Sequence, residues 1–120
     1  MSRRILIIVL LTAGCISQVY TEEEAKQTAV DYLIKAPTFA FDGIQRSLTV
    51  TGVEPQDCQG CFEVTIEFDC LYPGFGKRSP YFLIHKVTHH VAKIRVEKGE
   101  VTRAIIDEIW DEMAQESIVE

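Results

Sequence analysis

The residues best equipped for chemistry are four cysteines and three histidines. Cys58-Gln59-Gly60-Cys61 has a spacing that serves three chemistries: a short disulfide loop, thiol–disulfide exchange, or half of a zinc site. Exchange enzymes set the reactive thiol at a helix N-terminus, where the dipole lowers its pKa. Here the motif runs into an alternating apolar pattern, Phe62, Val64, Ile66, Phe68 and Cys70, which is the pattern of a strand. A structural Cys58–Cys61 bridge is therefore expected, with Gly60 easing the turn, and thiol-redox or metal-binding use of the pair stands as the alternative. Cys70 would pair elsewhere or stay free. It cannot reach Cys61 along one straight strand, because each residue advances ~3.3 Å. Zinc would need further ligands from His85, His89 and His90. On a strand, His85 and His89 share a face but stand ~13 Å apart, so surface or sheet-packing histidines are expected, with no metal and no cofactor.

No nucleophile–base set is legible. Ser2, Ser17, Ser47, Ser79 and Ser117 lie outside any strand–turn–helix elbow, and no phosphate-cradling glycine loop opens a helix. Glu63, Glu67 and Asp69 alternate with the apolar residues of one strand and read as its wet face. The acids around Trp110 (Asp107, Glu108, Asp111 and Glu112) read as solvated too. A formal charge of −6 disfavours nucleic acid, which requires a basic patch. The expectation is a domain that is not an enzyme.

The N-terminus supplies an address. Arg3 and Arg4 precede the apolar run Ile5 to Leu11, followed by Thr12, Ala13, Gly14 and Cys15, the layout of a secretory signal. The run is much shorter than the ~20 residues that span a bilayer. Leu11-Thr12-Ala13-Gly14-Cys15 resembles a prokaryotic lipobox, in which the cysteine is acylated and becomes the first mature residue; Thr12 departs from the branched apolar residue usual there. The resemblance implies a signal peptide over 1–14, lipid on Cys15 and a tether over 15–20, anchored to the membrane outside the cytoplasm; the length that remains, 21–120, suits one domain. Ordinary signal cleavage near the same place is the other reading. Loss of Arg3 and Arg4 leaves ten Lys and Arg against 18 Asp and Glu, a mature charge of −8. An oxidising compartment also favours a disulfide.

The elements that must position these groups begin with a helix. Thr21 and Glu24 form a capping-box pattern, and Glu22 and Glu23 suit the positive end of the helix dipole. Ala25, Ala29 and Leu33, with Val30 and Ile34, make a helical stripe, and Ala36-Pro37 stops it. Thr38 to Arg46 reads as a connection with a turn at Asp42-Gly43, its aromatics tucked onto the core. Strands are expected over Ser47–Val53, Phe62–Cys70, Tyr81–Glu97 and Val101–Ile106. Lys98-Gly99 forms a tight turn. The apolar side changes parity near His89 to Val91, which requires a bulge, a bend or two separate strands. Val101, Ala104, Ile105, Ile109 and Met113 also fit helical spacing; the hairpin signal favours a strand, and 107–120 is expected to pack around Trp110.

The implied fold class is α+β: one N-terminal helix packed on a curved antiparallel sheet of four to five strands. The order resembles cystatin-like and PepSY-like domains. More closely, Ala36-Pro37-Thr38-Phe39, Phe41-Asp42-Gly43-Ile44, Cys58-x-x-Cys61, and the series His90, Ala92, Ile94, Val96, Gly99, Val101, Ala104, Asp107 and Trp110-Asp111 resemble a family of small extracytoplasmic prokaryotic proteins. That resemblance implies location and fold and brings no catalytic residue. His89 stands where the family usually has proline. The function expected is a non-enzymatic binding module in the envelope, with an envelope protein as partner. By fold analogy it extends to protease regulation, although the cystatin signature Gln-x-Val-x-Gly is absent. The contact is expected on the sheet face or on the Gly/Pro loop, through Tyr72, Phe75, Lys77 and Arg78, with Tyr81 beside them, since loops with aromatics and arginine suit recognition.

Overall fold

A computed structural model describes residues 20–79 and 84–118. The run expected to be a lipobox, with Cys15, and the aromatic start of the third expected strand, Tyr81 to Leu83, lie outside these residues. Helix α1 spans Glu22–Lys35, and the capping box forms in full: the Glu24 amide donates to Thr21 Oγ1 at 3.2 Å, and the Thr21 amide donates to Glu24 Oε1 at 3.4 Å. Ala25, Ala29 and Leu33 are buried, as the stripe requires. The segment read as a connection holds a second short helix, α2 (Pro37–Asp42), and a 3-10 turn, Gln45–Ser47. Proline explains the break and the restart: it pushes Ala36 out of helical dihedrals, and its own φ suits a first helical position.

The strands are β1 (Thr49–Pro55), β2 (Cys61–Cys70), β3 (Thr88–Glu97), β4 (Glu100–Ile106), β5 (Trp110–Asp111) and β6 (Glu116–Ser117). They form one open antiparallel sheet in sequence order. The α+β class holds, with six strands in place of four to five. The two additional strands come from the C-terminal segment. Asp107 and Glu108 take left-handed φ of 54° and 65° and turn the chain back after β4; Gln115, at 56°, turns it again. Asp111 Oδ1 supports that second turn by accepting from the Met113 and Ala114 amides at 3.0 Å each.

The third strand is shorter than its pattern, and this removes the parity conflict. It starts at Thr88, so His90, Ala92, Ile94 and Val96 all face the core while His89 and Lys93 are exposed. A shift of register between Val50 and Gly52 likewise lets Val50 and Val53 both pack inward. At the β3–β4 turn, Lys98 and Gly99 take φ of 50° and 86°, the left-handed pair that a two-residue hairpin needs.

The core lies between α1 and one face of the sheet, where Leu33 belongs to one buried cluster with Val64, Ile66, Phe68, Ile94 and Ile106. Each large side chain buried there stabilises the fold by ~1.5–3 kcal/mol. The alanines at 25, 29, 92 and 104 let helix and sheet approach closely. Antiparallel alternation leaves Glu63, Thr65, Glu67, Asp69, Lys93 and Arg95 on the opposite face, which no helix covers among the described residues.

This meander has two poles. At one, Tyr20 packs against the 58–61 turn and the β3–β4 turn; Gly60 has φ of +80° there, and a Cβ on it would come within 3.1 Å of the Tyr20 ring. At the other pole lie α2, the loop after β2 and the β5–β6 hairpin, joined by hydrogen bonds in which Thr38 donates to Glu112 while the Thr38 hydroxyl and the Asp42 carboxylate accept from amides of the loop. The ten residues of β2 separate the poles by ~30 Å.

Candidate functional site

The Gly/Pro loop expected to make contacts is held at the second pole by two buried polar sets. In the first, Glu112, only 1% exposed, accepts from the Thr38 amide at 2.9 Å, from the Thr38 hydroxyl at 2.6 Å and from Trp110 Nε1 at 3.0 Å. The Thr38 hydroxyl in turn accepts from the Gly76 amide at 2.7 Å. In the second set, Arg78 pairs with Asp42, both nearly inaccessible, and donates to the Gly76 carbonyl at 2.6 Å. The other Asp42 oxygen accepts from the Tyr72 amide at 2.8 Å. The Arg78 guanidinium lies 4.7 Å from the centre of the Phe41 ring, and its Nε has no hydrogen-bond partner.

These bonds place the four contact residues expected from the sequence that are among the described residues differently from one another. Arg78 is consumed by Asp42. Phe75 is half-buried, stacked on Trp110 with centroids 5.4 Å apart and tilted against His90 at 5.2 Å. Tyr72 is half-buried and meets the His85 ring edge-on at 5.6 Å. Lys77 is exposed and borders a hollow of about 450 Å³ with Pro37, Ala40 and Phe41. A second hollow, of about 410 Å³, also has Pro37 in its lining, with Tyr32, Lys35, Glu112 and Met113.

The acids near Trp110 are not all solvated, contrary to the reading of that stretch as wet. Glu112 is enclosed, and burial, followed by the charges of Glu112 and Asp111, pushes the Tyr32 phenol up to about 12. Asp107 Oδ2 stands 2.6 Å from His90 Nδ1, and Asp107 Oδ1 accepts from the Val91 amide at 2.8 Å. Burial pushes the Asp107 carboxyl up, but the His90 and Val91 hydrogen bonds and the nearby histidine charges outweigh it, and the net shift is downward. His90 is 2% exposed, lies against Phe68 as well as Phe75, and has no partner for Nε2.

His89 points to the wet face. Its Nδ1 lies 2.7 Å from Asp69 and its Nε2 lies 2.9 Å from Glu67. Both nitrogens can donate only in the imidazolium, and these two bonds raise its pKa. A cleft of about 420 Å³ lies further along this face, between Val91 and Lys93 on β3 and Ile105, Asp107 and Glu108. No group of three or more His, Cys, Asp or Glu among the described residues is arranged to hold a metal ion.

The Cys58 and Cys61 sulfurs are bonded at the first pole, with Cys58 exposed and Cys61 buried. Arg95 braces this turn: Nη2 donates to Asp57 Oδ1 at 3.0 Å and lies 3.6 Å from Cys58 Sγ, while Nε pairs with Glu97. The hydrogen bond to Arg95 lowers the Asp57 pKa and raises that of Arg95. Cys70 is free and buried at the second pole; burial, then Asp42, pushes its thiol up to about 12.

Thr38, Asp42, Asp107 and Glu112 carry the polar architecture, and spacing alone assigned none of them this role. The first three stand within the segments that carry the family resemblance. Glu112 had no signal, because its partner lies 74 residues away. Comparison with protein-family models, curated proteins and solved structures returned no match.

Proposed function

We propose that this chain is a non-enzymatic binding module of the cell envelope, held to the membrane by lipid on Cys15 and contacting a protein partner at the pole that carries α2 and the 71–79 loop. The two-pole arrangement supports this reading most directly. Cys15 precedes Tyr20 by five residues, and Tyr20 sits against Gly60 and Gly99. An anchor there leaves the braced loop and α2 on the far side of the domain, ~30 Å further from the bilayer. A loop held by buried hydrogen bonds loses little conformational freedom on contact, which favours binding. Helix-first order and an uncrossed antiparallel meander support grouping the domain with cystatin-like and PepSY-like folds. Protease regulation would follow only from that grouping, and fold does not carry function by itself.

Cross-linking in the native envelope, followed by identification of the captured protein and mass spectrometry of the mature N-terminus, tests both halves. Diacylation at Cys15, together with a partner cross-linked to Phe41 or Lys77, is the expected result. An unmodified N-terminus overturns the anchor, and cross-links confined to the disulfide pole overturn the contact face.

A second reading, thiol exchange at Cys58, has one observation in its favour: an exposed sulfur 3.6 Å from a guanidinium. The same guanidinium is bound by Asp57 and Glu97, which offsets its pull on a thiolate. Reduction of an insulin disulfide by the wild type, lost in Cys58→Ser, would establish this reading.

A further inference from the structure

On the sheet face opposite α1, one cleft has ends of opposite charge. We propose that the cleft bordered by Val91, Lys93, Ile105, Asp107 and Glu108 binds a small apolar zwitterion, of the size of an amino acid or dipeptide. Its ammonium lies toward the turn after β4 and its carboxylate toward Lys93. This goes beyond the contact reading above and does not depend on it.

The register of β3 and β4 sets the charges in rows. Arg95 stands beside Arg103, and Lys93 beside Ile105. The Asp107 amide donates to the Val91 carbonyl at 2.8 Å, which carries the ladder one step past β4. Successive outward rows are ~7 Å apart. Cations thus occupy the first two rows and the Asp107 carboxylate the third, with Glu108 next to it. Val91 and Ile105 form an apolar, half-buried floor, while the other outward positions of β3 and β4 are charged or histidine. The hollow over this floor measures about 420 Å³. Small-molecule sites run to roughly 300–1,000 Å³ and combine an apolar lining with a few convergent polar groups.

All charges around the cleft bear on the choice of ligand. Asp107 is held by His90 and the Val91 amide, and these contacts keep it ionised. Asp111, the cross-strand partner of Ile105, adds a carboxylate, one oxygen of which accepts from the Met113 and Ala114 amides. On the β2 side, Glu67 stands opposite Val91 and is bound to His89. Arg95 is engaged by Asp57 and Glu97. Lys93, Arg103 and Glu108 are exposed and make no ion pair among the described residues. The turn end is therefore negative and the Lys93 end positive. A lone anion meets Asp107, Glu108 and Asp111, and a lone cation meets Lys93 with Arg103 behind it. A ligand that carries both signs aligns with the gradient, and complementary placement of charge confers specificity.

Nuclear magnetic resonance titration of the full-length protein in detergent micelles tests the proposal residue by residue. Leucine and leucyl-leucine are the probes, with their N-acetyl and C-terminal amide derivatives as single-charge counterparts. Saturable shifts are expected at the amides of Val91, Lys93, Ile105, Asp107 and Glu108 with at least one of the zwitterions. Capping either terminus should weaken binding by about fivefold, the weight of one exposed charge contact. Lys93→Gln should remove the preference for the zwitterion over its amide, and Glu108→Gln the preference over its N-acetyl form. Unaltered resonances outside the cleft verify that each variant is folded. Absence of a saturable shift with both zwitterions overturns the proposal, as does a capped derivative that binds as well as its parent. Variants that discriminate like the wild type, or shifts confined to α2 and the 71–79 loop, overturn it too. The readout requires neither lipid on Cys15 nor a protein partner, so failure of this site and failure of the contact reading are distinguishable.

Discussion

Glu112→Ala removes the acceptor that joins α2, the 71–79 loop and the C-terminal hairpin. Three donors lose their partner: the Thr38 amide, the Thr38 hydroxyl and Trp110 Nε1. Trp110 is half-buried and can turn to water, and the Thr38 hydroxyl keeps its contact with the Gly76 amide. The Thr38 amide bears the full loss, because Thr38 has no exposed surface. A buried donor left unpaired costs about 1–3 kcal/mol, and part of a second such penalty falls on the hydroxyl. The expected loss is ~2–4 kcal/mol, a large share of the ~5–15 kcal/mol of an ordinary domain. Urea unfolding reads it through Trp110, the single tryptophan in the sequence. The midpoint should fall while the slope is unchanged. If Glu112→Ala is too unstable to purify, Thr38→Val and Glu112→Gln give a double-mutant cycle with an expected coupling of ~1 kcal/mol or more. Glu112→Gln should also let the Tyr32 phenol titrate below its wild-type value of about 12, since the Glu112 charge contributes to that elevation. A cost below ~0.5 kcal/mol for Glu112→Ala, or strict additivity in the cycle, would refute the reasoning.

His89 gains two carboxylate partners on folding, so its folded pKa lies above the unfolded value. Its stabilisation is complete below the unfolded pKa and disappears as pH rises through the folded pKa. Because the pair is exposed, the effect is ~1 kcal/mol or less, and His89→Gln should flatten the pH dependence of the urea midpoint around and above neutrality. Asp107 has the opposite sign: its folded pKa is depressed, so its contribution is present above the unfolded pKa and is lost as pH falls through the folded one. Asp107→Asn, which tolerates the left-handed φ of 54°, should make acid unfolding less steep; an unchanged acid limb would contradict the His90 contact. Cys58→Ser opens a loop of sequence separation 3 and should cost about 2 kcal/mol by the chain-entropy relation, read by calorimetry, with the secondary structure retained.

The degree to which the fold was legible followed the range of the interactions. Helix α1 was readable because its cap and stripe are local: Thr21, Glu24 and the Ala25-Ala29-Leu33 series occupy one stretch of chain. Strand β2 was readable because five apolar residues alternate with polar ones. The hairpin at Lys98-Gly99 announced itself through a residue pair suited to positive φ. The short helix α2 was missed because six residues cannot sustain a helical period; it is held by Pro37 at its start and by contacts of Thr38 and Asp42 with distant loops. The parity conflict in 81–97 arose from reading a strand through 84–87, which lie outside the sheet.

The sequence by itself determined the local matters: a capped amphipathic helix, the alternating faces of β2, a Cys58–Cys61 pair at bridging separation and an acidic balance. The tertiary structure decided what the remaining polar residues are for. Residue type and spacing do not distinguish a solvated carboxylate from a buried one. Glu112 is buried because the turn that follows β5 sets it against α2, where Thr38 supplies donors that water would otherwise supply. Arg78 is spent on Asp42 for a similar reason, while Lys77, one residue away, is left free of any ion pair among the described residues. Burial changes which partner satisfies a polar group, and that depends on contacts between segments dozens of residues apart.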